Sequence, residues 1–194
     1  SKNGMRVPEA RFVTDPSQAL DMQPPLILKP NAEGSTVGLS FVECSEELEP
    51  AIRRALTFGG GCLVEEWLTG MEISVPILGD RALPPVEIAP ATGKYDFASK
   101  YTPGATEEIV PARLPEEVLK QVQEIALQAH QLLGCRGATR TDMIVRNPSG
   151  NAEPVVLEVN TLPGLTPTSL LPNSAKSVGM DFDQLTRWIV EDGM

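Results

Sequence analysis

The sequence predicts an α+β fold, and three observations carry that expectation. Each half of the chain reads as strands followed by helices, without the regular strand–helix–strand alternation of a parallel doubly wound sheet. Two apolar runs, Ala138–Val145 and Val155–Val159, flank the turn-forming segment Asn147-Pro148-Ser149-Gly150-Asn151 and read as an antiparallel hairpin. A run from Pro115 to Leu133 places Val118, Val122, Ile125, Ala129 and Leu132 at helical spacing.

The elements follow in order. Residues 1–68 form a first lobe: a strand (Leu26–Pro30), a glycine-containing turn, a second strand (Leu39–Val42) and a helix. Ser45 is placed to cap that helix, with Glu46, Glu47 and Glu49 at its positive end. Leu48, Ile52, Ala55 and Leu56 form its apolar face. Gly59-Gly60-Gly61 ends it, and Cys62–Glu66 reads as a strand. Residues 69–194 form a second lobe, with a strand pair (Glu72–Leu78 and Val86–Ile88), a long loop, the Pro115–Leu133 helix, the hairpin and terminal helices. Leu185, Trp188 and Ile189 stripe the last helix. No internal repeat or low-complexity tail is present.

Composition excludes several classes. A chain of 194 residues with 41% hydrophobic and 22% charged content is an ordinary globular sequence. Its net charge of −10 argues against nonspecific nucleic-acid binding, though a local basic cluster can still hold an anionic nucleotide. No apolar run approaches membrane-spanning length, and no signal-peptide pattern is seen at the N-terminus. Cys44, Cys62 and Cys135 are odd in number and lack CxxC spacing, which suits reduced thiols in a cytoplasmic protein. His130 is the one histidine, so a histidine-rich zinc site is excluded. It falls beside the helical stripe and is expected on the helix surface, which argues against a Ser/His/Asp triad.

The hairpin carries the chemistry. Directly opposed residues on antiparallel strands share a constant index sum. With the turn centred on Gly150, Asp142 faces Glu158 and Arg140 faces Asn160. All four are even-numbered, so alternation puts them on one face. Two carboxylates, an amide and a guanidinium then share a patch of an otherwise apolar hairpin. Such groups are rarely buried unless paired or bound to a metal. Oxygen ligands of this kind suit Mg²⁺ beside phosphates. The alternative is a structural salt-bridge cluster.

Three further segments bear polar function. In Lys29-Pro-Asn-Ala-Glu33-Gly34-Ser35-Thr36-Val37-Gly38, a lysine ends a strand and a loop with glycines and hydroxyls follows. Glycines let backbone N–H groups approach an anion, and lysine adds a point charge for phosphate. It is not a Walker A loop, and an ordinary hairpin turn would use the same residues. Val64-Glu65-Glu66-Trp67-Leu68, followed by Glu72, could read a base edge and ribose hydroxyls, or simply face solvent. Residues 92–104, with Lys94, Tyr95, Lys100 and Tyr101, form a long glycine-bounded loop of the kind that is mobile or functional.

Taken together and in this order, KPNAEGSTVG (29–38), EEWLTGME (65–72), Lys100-Tyr101, Arg140–Asp142 and EVNTLPGLTPTSL (158–170) resemble the ATP-grasp superfamily, specifically the D-alanine–D-alanine ligases. The likeness runs from about Gly4 to the C-terminus. It implies an ATP-grasp fold of two lobes that clamp ATP. Lys29 would contact the α/β-phosphates, and Ser35 and Thr36 would cover the triphosphate. Glu65, Glu66 and Leu68 would meet adenine, and Glu72 the ribose. Lys100 would reach the γ-phosphate. Asp142, Glu158 and Asn160 would hold two Mg²⁺ ions, with Mn²⁺ able to replace them. Arg140 and the Gly164 backbone would stabilise the oxyanion of the tetrahedral intermediate. Ser169 and Leu170 would position the carboxylate of the second D-alanine. Tyr101 looks like the loop tyrosine of dipeptide-forming relatives, which favours an amine nucleophile.

The implied activity is ATP-dependent joining of two D-alanines through an acyl phosphate, for peptidoglycan precursors. The family carries a further N-terminal domain ahead of these residues. That domain supplies a carboxylate for the first D-alanine and usually the contacts of a homodimer. The chain alone is therefore expected to bind Mg–nucleotide weakly and make little dipeptide. Another ATP-grasp carboxylate–amine ligase, or a nucleotide-binding module without catalysis, are the alternatives.

Overall fold

A computed structural model of the chain describes residues 3–34, 36–90 and 106–192. Ser35 and the 92–104 loop, with Lys94, Tyr95, Lys100 and Tyr101, lie outside the described residues. The chain forms two compact units. Among the described residues, one comprises 8–68 and the other 3–7, 69–90 and 106–192.

The smaller unit is a four-stranded sheet in the order β1-β4-β2-β3, backed by a helix. Its strands are β1 (Ala10–Val13), β2 (Leu26–Pro30), β3 (Ser40–Val42) and β4 (Cys62–Glu66), all antiparallel to their neighbours. Strand β1 was not foreseen; Ala-Arg-Phe-Val is too short and mixed to stand out, and pairing with β4 makes it a strand. Helix α1 (Ser45–Leu56) buries Leu48, Ala51, Ile52 and Ala55 against Leu26, Leu28, Val42 and Val64. Each leucine, isoleucine or valine among them contributes about 1.5–3 kcal/mol when fully buried. The cap differs from expectation. Ser45 is the first helical residue, and Cys44 stands at the cap without a side-chain hydrogen bond. The Glu47 carboxylate instead accepts the Glu43 N–H at 3.2 Å, so an acidic side chain of the first turn organises the entry. Gly59, Gly60 and Gly61 all have positive φ, which lets the chain leave the helix and turn into β4.

The larger unit holds a six-stranded antiparallel sheet, ordered β10-β9-β5-β7-β8, with β6 (Arg81–Ala82) on β5. The strands are β5 (Met71–Leu78), β7 (Val86–Pro90), β8 (Thr106–Ile109), β9 (Ala138–Arg146) and β10 (Glu153–Asn160). One face is covered by α2 (Glu116–Leu132), whose Val118, Val122 and Ala126 pack on Ile73, Val75, Met143, Val145 and Val156. On the other face Val86 and Ile88 pack with Leu170, the first residue of α3 (Leu170–Ser177). Helix α4 (Phe182–Asp192) anchors through Leu185 to Leu78, Leu83 and Leu171.

Two expectations about α2 are corrected. His130 is buried, 3% exposed, and its Nδ1 shares a 2.7 Å hydrogen bond with Thr139 Oγ1 of β9. Leu132, expected in the buried stripe, is 48% exposed, because the helix turns its 126–129–130 row to the sheet. A polar residue can occupy a core position once a neighbouring strand offers it a partner. The thiols of Cys44, Cys62 and Cys135 are all free. Burial pushes that of Cys62 up to about 11, so it stays protonated and inert.

Candidate active site

The hairpin β9–β10 places Arg140 opposite Asn160 and Asp142 opposite Glu158. The expected partners are correct, but the route to them is not a simple turn. Next to the turn, Val145 pairs with Pro154 and Met143 with Val156, one step out of phase with the later pairs. A β-bulge between Val156 and Glu158 takes up the extra residue. Val156 faces the helix-covered core while Glu158, two residues on, joins the opposite face. On a regular strand both would share one face, since a one-residue slip flips every side chain.

Across the sheet, β5 completes the patch. Ser74 lies directly opposite Asp142, and its Oγ donates to Asp142 Oδ1 at 2.6 Å. Arg140 Nε and Nη2 donate to Asp142 Oδ1 and Oδ2 at 2.9 and 2.8 Å, a two-pronged grip. Asn160 Nδ2 donates to Asp142 Oδ2 at 3.0 Å and to Glu158 Oε1 at 3.5 Å. The Arg140 and Asp142 side chains are only 17% and 11% exposed, whereas Glu158 is exposed. Guanidinium and amide N–H groups thus compensate two neighbouring carboxylates. Glu72, also on β5, pairs with Ile144 and so lies on this same face, one alternation from Ser74. Ser74 was missed from sequence; its signal was its even spacing from Glu72 on a strand otherwise buried.

This oxygen-rich donor set fits a hard divalent cation such as Mg²⁺. Among the described residues no cluster of three or more His, Cys, Asp and Glu has metal-holding geometry. Asp142 and Glu158 would therefore rely on the Asn160 amide oxygen and on oxygens brought by the ligand. The amide now turns its NH₂ to both carboxylates, so holding a cation requires it to turn over.

At the rim, Gly164 lies in an exposed loop, where an added Cβ would sit 3.1 Å from Ser169 Oγ. Ser169 stands at the cap of α3, and its Oγ accepts the Thr166 N–H at 3.2 Å. The Leu170 side chain belongs to the core, 6% exposed, which leaves its backbone for any ligand contact.

In the smaller unit, Lys29 Nζ pairs with Glu65 Oε2 at 2.5 Å. Lys29 is opposite Leu63 and Glu65 opposite Ile27, so the pair is a diagonal one across β2 and β4. Glu65 is 4% exposed. Glu66 is engaged by β1's approach: its carboxylate accepts the Glu9 N–H at 3.0 Å and its N–H reaches Glu9 O at 2.9 Å. Leu68 is half-buried. Thr36 adopts φ +64°, a left-handed conformation that costs a β-branched residue energy. Its Oγ1 is buried and finds no partner among the described residues. Gly38, at φ +72°, is required there, because a Cβ would lie 2.7 Å from Pro30 Cγ. A strained threonine with an orphaned hydroxyl is what a loop shaped for a ligand oxygen presents.

Comparison with known proteins gives the family. Residues 10–191 match the family described as D-ala D-ala ligase C-terminus. The D-alanine–D-alanine ligase of Halalkalibacterium halodurans is 48% identical over 86% of this chain and 55% of its own length. That of Granulibacter bethesdensis is 45% identical over 97% of this chain and 62% of its own. Among solved structures, the Bacillus anthracis D-alanine–D-alanine ligase complexed with ATP superposes with a TM-score of 0.80 at 29% identity, covering 98% of this chain and 61% of that one. The VanG D-Ala:D-Ser ligase of Enterococcus faecalis gives 0.83 at 32%, over 98% and 58%. The chain thus spans somewhat under two thirds of the length of these relatives.

Proposed function

The chain belongs to the D-ala D-ala ligase C-terminus family, and from that premise we propose that its protein joins two D-alanines at the expense of ATP. The product would be the dipeptide of peptidoglycan precursors, made in the cytoplasm where ATP is available, by an enzyme that works as a homodimer. The observation that carries the reading is the one-faced patch of Arg140, Asp142, Glu158 and Asn160, braced by Ser74.

The residues divide the work. Lys29 and the Thr36 hydroxyl hold phosphate oxygens, helped by Ser35 and Lys100. Glu65, Glu66 and Leu68 meet adenine, and Glu72 the ribose. Asp142, Glu158 and Asn160 would hold Mg²⁺. When bound, Mg²⁺ supplies charge neutralisation and alignment of the phosphate oxygens. Phosphoryl transfer to the first D-alanine carboxylate needs positioning and charge more than a covalent catalyst, so a site without histidine is adequate. The guanidinium of Arg140 is fixed in plane by its two bonds to Asp142. Aimed with the Gly164 N–H at the acyl oxygen, it stabilises the tetrahedral oxyanion. Ser169 and the Leu170 N–H orient the acceptor carboxylate, so that the amine of the second D-alanine attacks and inorganic phosphate leaves. Tyr101, the loop tyrosine of dipeptide-forming relatives, would favour an amine as the nucleophile. A further, N-terminal domain of the same protein would hold the first D-alanine.

Thermal denaturation with a nonhydrolysable ATP analogue, with and without Mg²⁺, tests the nucleotide part. At 100-fold excess over Kd the ligand stabilises by about 2.7 kcal/mol. A Mg²⁺-dependent rise in Tm is expected, and Glu158→Gln should abolish it while leaving the ligand-free Tm within a degree or two of wild type. A variant with wild-type Mg²⁺ dependence would remove Glu158 from the metal site.

A further inference from the structure

A second set of contacts on the site face connects strand β8 to helix α3. Glu108 lies on β8 opposite Ile88, which in turn lies opposite Glu72. It therefore projects to the same face as the Arg140–Asp142 patch. Asn173, in the first turn of α3, donates from Nδ2 to Glu108 Oε2 at 2.6 Å and to the Thr168 carbonyl at 3.4 Å. Its own N–H closes on Ser169 O at 3.0 Å, while Ser169 N–H bonds Thr166 O at 2.9 Å. One amide thus ties together a strand, the turn 166–169 and the start of a helix. Ser169 makes no side-chain cap, since its hydroxyl is turned back to Thr166. Leu170 and Leu171 carry the leading N–H groups, and Pro172 has none to give. Desolvation pushes the Glu108 carboxyl up, while the Asn173 bond and the charge of Arg140 pull it down. Glu108 is accordingly within electrostatic reach of Arg140 and bonded to α3.

We infer that Glu108 and Asn173 form a positioning bridge that sets the first turn of α3, and through Ser169 and Leu170 the grip on the acceptor amino acid's carboxylate. The inference rests on the ligase reading and names residues that it leaves without a role. Neither side chain touches the reacting atoms; the bridge acts by holding α3 at a fixed offset from Arg140. A loosened turn weakens acceptor binding without altering phosphoryl transfer. The hydrogen bond matters here rather than the charge, so glutamine at position 108 keeps the acceptor oxygen and the bridge.

The test is steady-state kinetics of the full-length enzyme with ATP and D-alanine, fitted to separate donor and acceptor KM values. Glu108→Ala and Asn173→Ala should each raise the acceptor KM up to about 10-fold, the scale of one lost hydrogen bond. The KM for ATP and kcat should stay within about 2-fold, which a merely destabilised protein would not show. The double variant should match either single one, and Glu108→Gln should behave as wild type. Asn173→Asp, which sets two carboxylates against each other, should exceed Asn173→Ala and serves where the alanine variants do not fold. Unchanged acceptor KM, an equal rise in the KM for ATP, or loss of function in Glu108→Gln would overturn the bridge. Wild-type enzyme that makes no dipeptide would overturn the ligase reading itself, and the bridge with it.

Discussion

Each unit buries a carboxylate on a strand, and the two are held in opposite ways. Glu65 in the smaller unit meets the tip of a lysine across neighbouring strands. Asp142 in the larger unit is gripped by short or planar groups from three strands: Ser74 of β5, Arg140 of its own β9 and Asn160 of β10. Lysine has a flexible four-carbon stem and a point charge, so the Lys29 ammonium has other rotamers open to it, though leaving Glu65 would strip a buried carboxylate of its partner. Arginine, serine and asparagine on paired strands have few alternative placements, so Asp142 is preorganised. The difference is one of constraint: one carboxylate depends on a single flexible partner, the other on several groups fixed by paired strands.

The sharpest way to break that contrast is Lys29→Met, which keeps the apolar stem and removes the cation. Glu65 is then left buried without its partner, and stability should fall by about 2–4 kcal/mol, below the 3–5 kcal/mol seen for fully buried pairs because Lys29 is 26% exposed. Urea unfolding of Lys29→Met beside Lys29→Met/Glu65→Gln measures it. The double variant should recover most of the loss; a double variant as weak as the single one would show that the lysine stem, not the ion pair, matters.

Ser74→Val is the matching change beside Asp142. It removes one buried donor from Asp142 and should cost about 1–3 kcal/mol. Its second effect sharpens the comparison: Mg²⁺ affinity in the nucleotide complex should fall 10–100-fold, as for other groups that orient a metal ligand. Isothermal titration with Mg²⁺ at saturating analogue reads this directly. Equal affinities would mean that Arg140 and Asn160 orient Asp142 unaided.

The smallest effect concerns Glu87, on the core face of β7 and bonded through both oxygens to Arg113. The Arg113 guanidinium holds its carboxyl below the usual value of 4.5, more strongly than burial raises it. In the window between the folded and unfolded pKa the unfolded state binds more protons, so stability rises with pH there. The contribution is complete above about pH 4.5 and is lost as acidity passes the lowered folded value. Unfolding curves between pH 3 and 6 should show a shallower acid loss in Arg113→Ala than in wild type. An unaltered slope would assign that pH dependence to other carboxylates.

Much of this was legible in the chain itself. Strand runs such as Leu26–Leu28 and Ile73–Ile77 and the 118–122–125–129 part of the stripe on α2 announce an α+β protein, because periodicity of burial follows from backbone geometry. The polar residues that interrupt the hairpin, Arg140, Asp142, Glu158 and Asn160, stand out because apolar strands rarely carry them. What stayed hidden were features decided by partners far away in sequence. Strand β1 exists because β4 pairs with it. β8 lies where the sequence showed a long loop, drawn into order by β7. His130 is buried because Thr139 receives it, and Ser74 acquires its role from Asp142, 68 residues on.

The residue types of this protein determined by themselves that the two half-strands of the hairpin would meet, which four polar groups they would carry, and that a lysine and hydroxyl loop would precede them. The bulge that reconciles this register with the turn was decided only by the tertiary structure. The turn sets Met143 against Val156, and without a bulge at Leu157 the residue at 158 would face the core. Burying Val156 and leaving a carboxylate outside are both favourable, and an inserted residue is the one local distortion that satisfies both. Alternation along a strand is a local property; the choice of which face is inside belongs to the helix packed upon it.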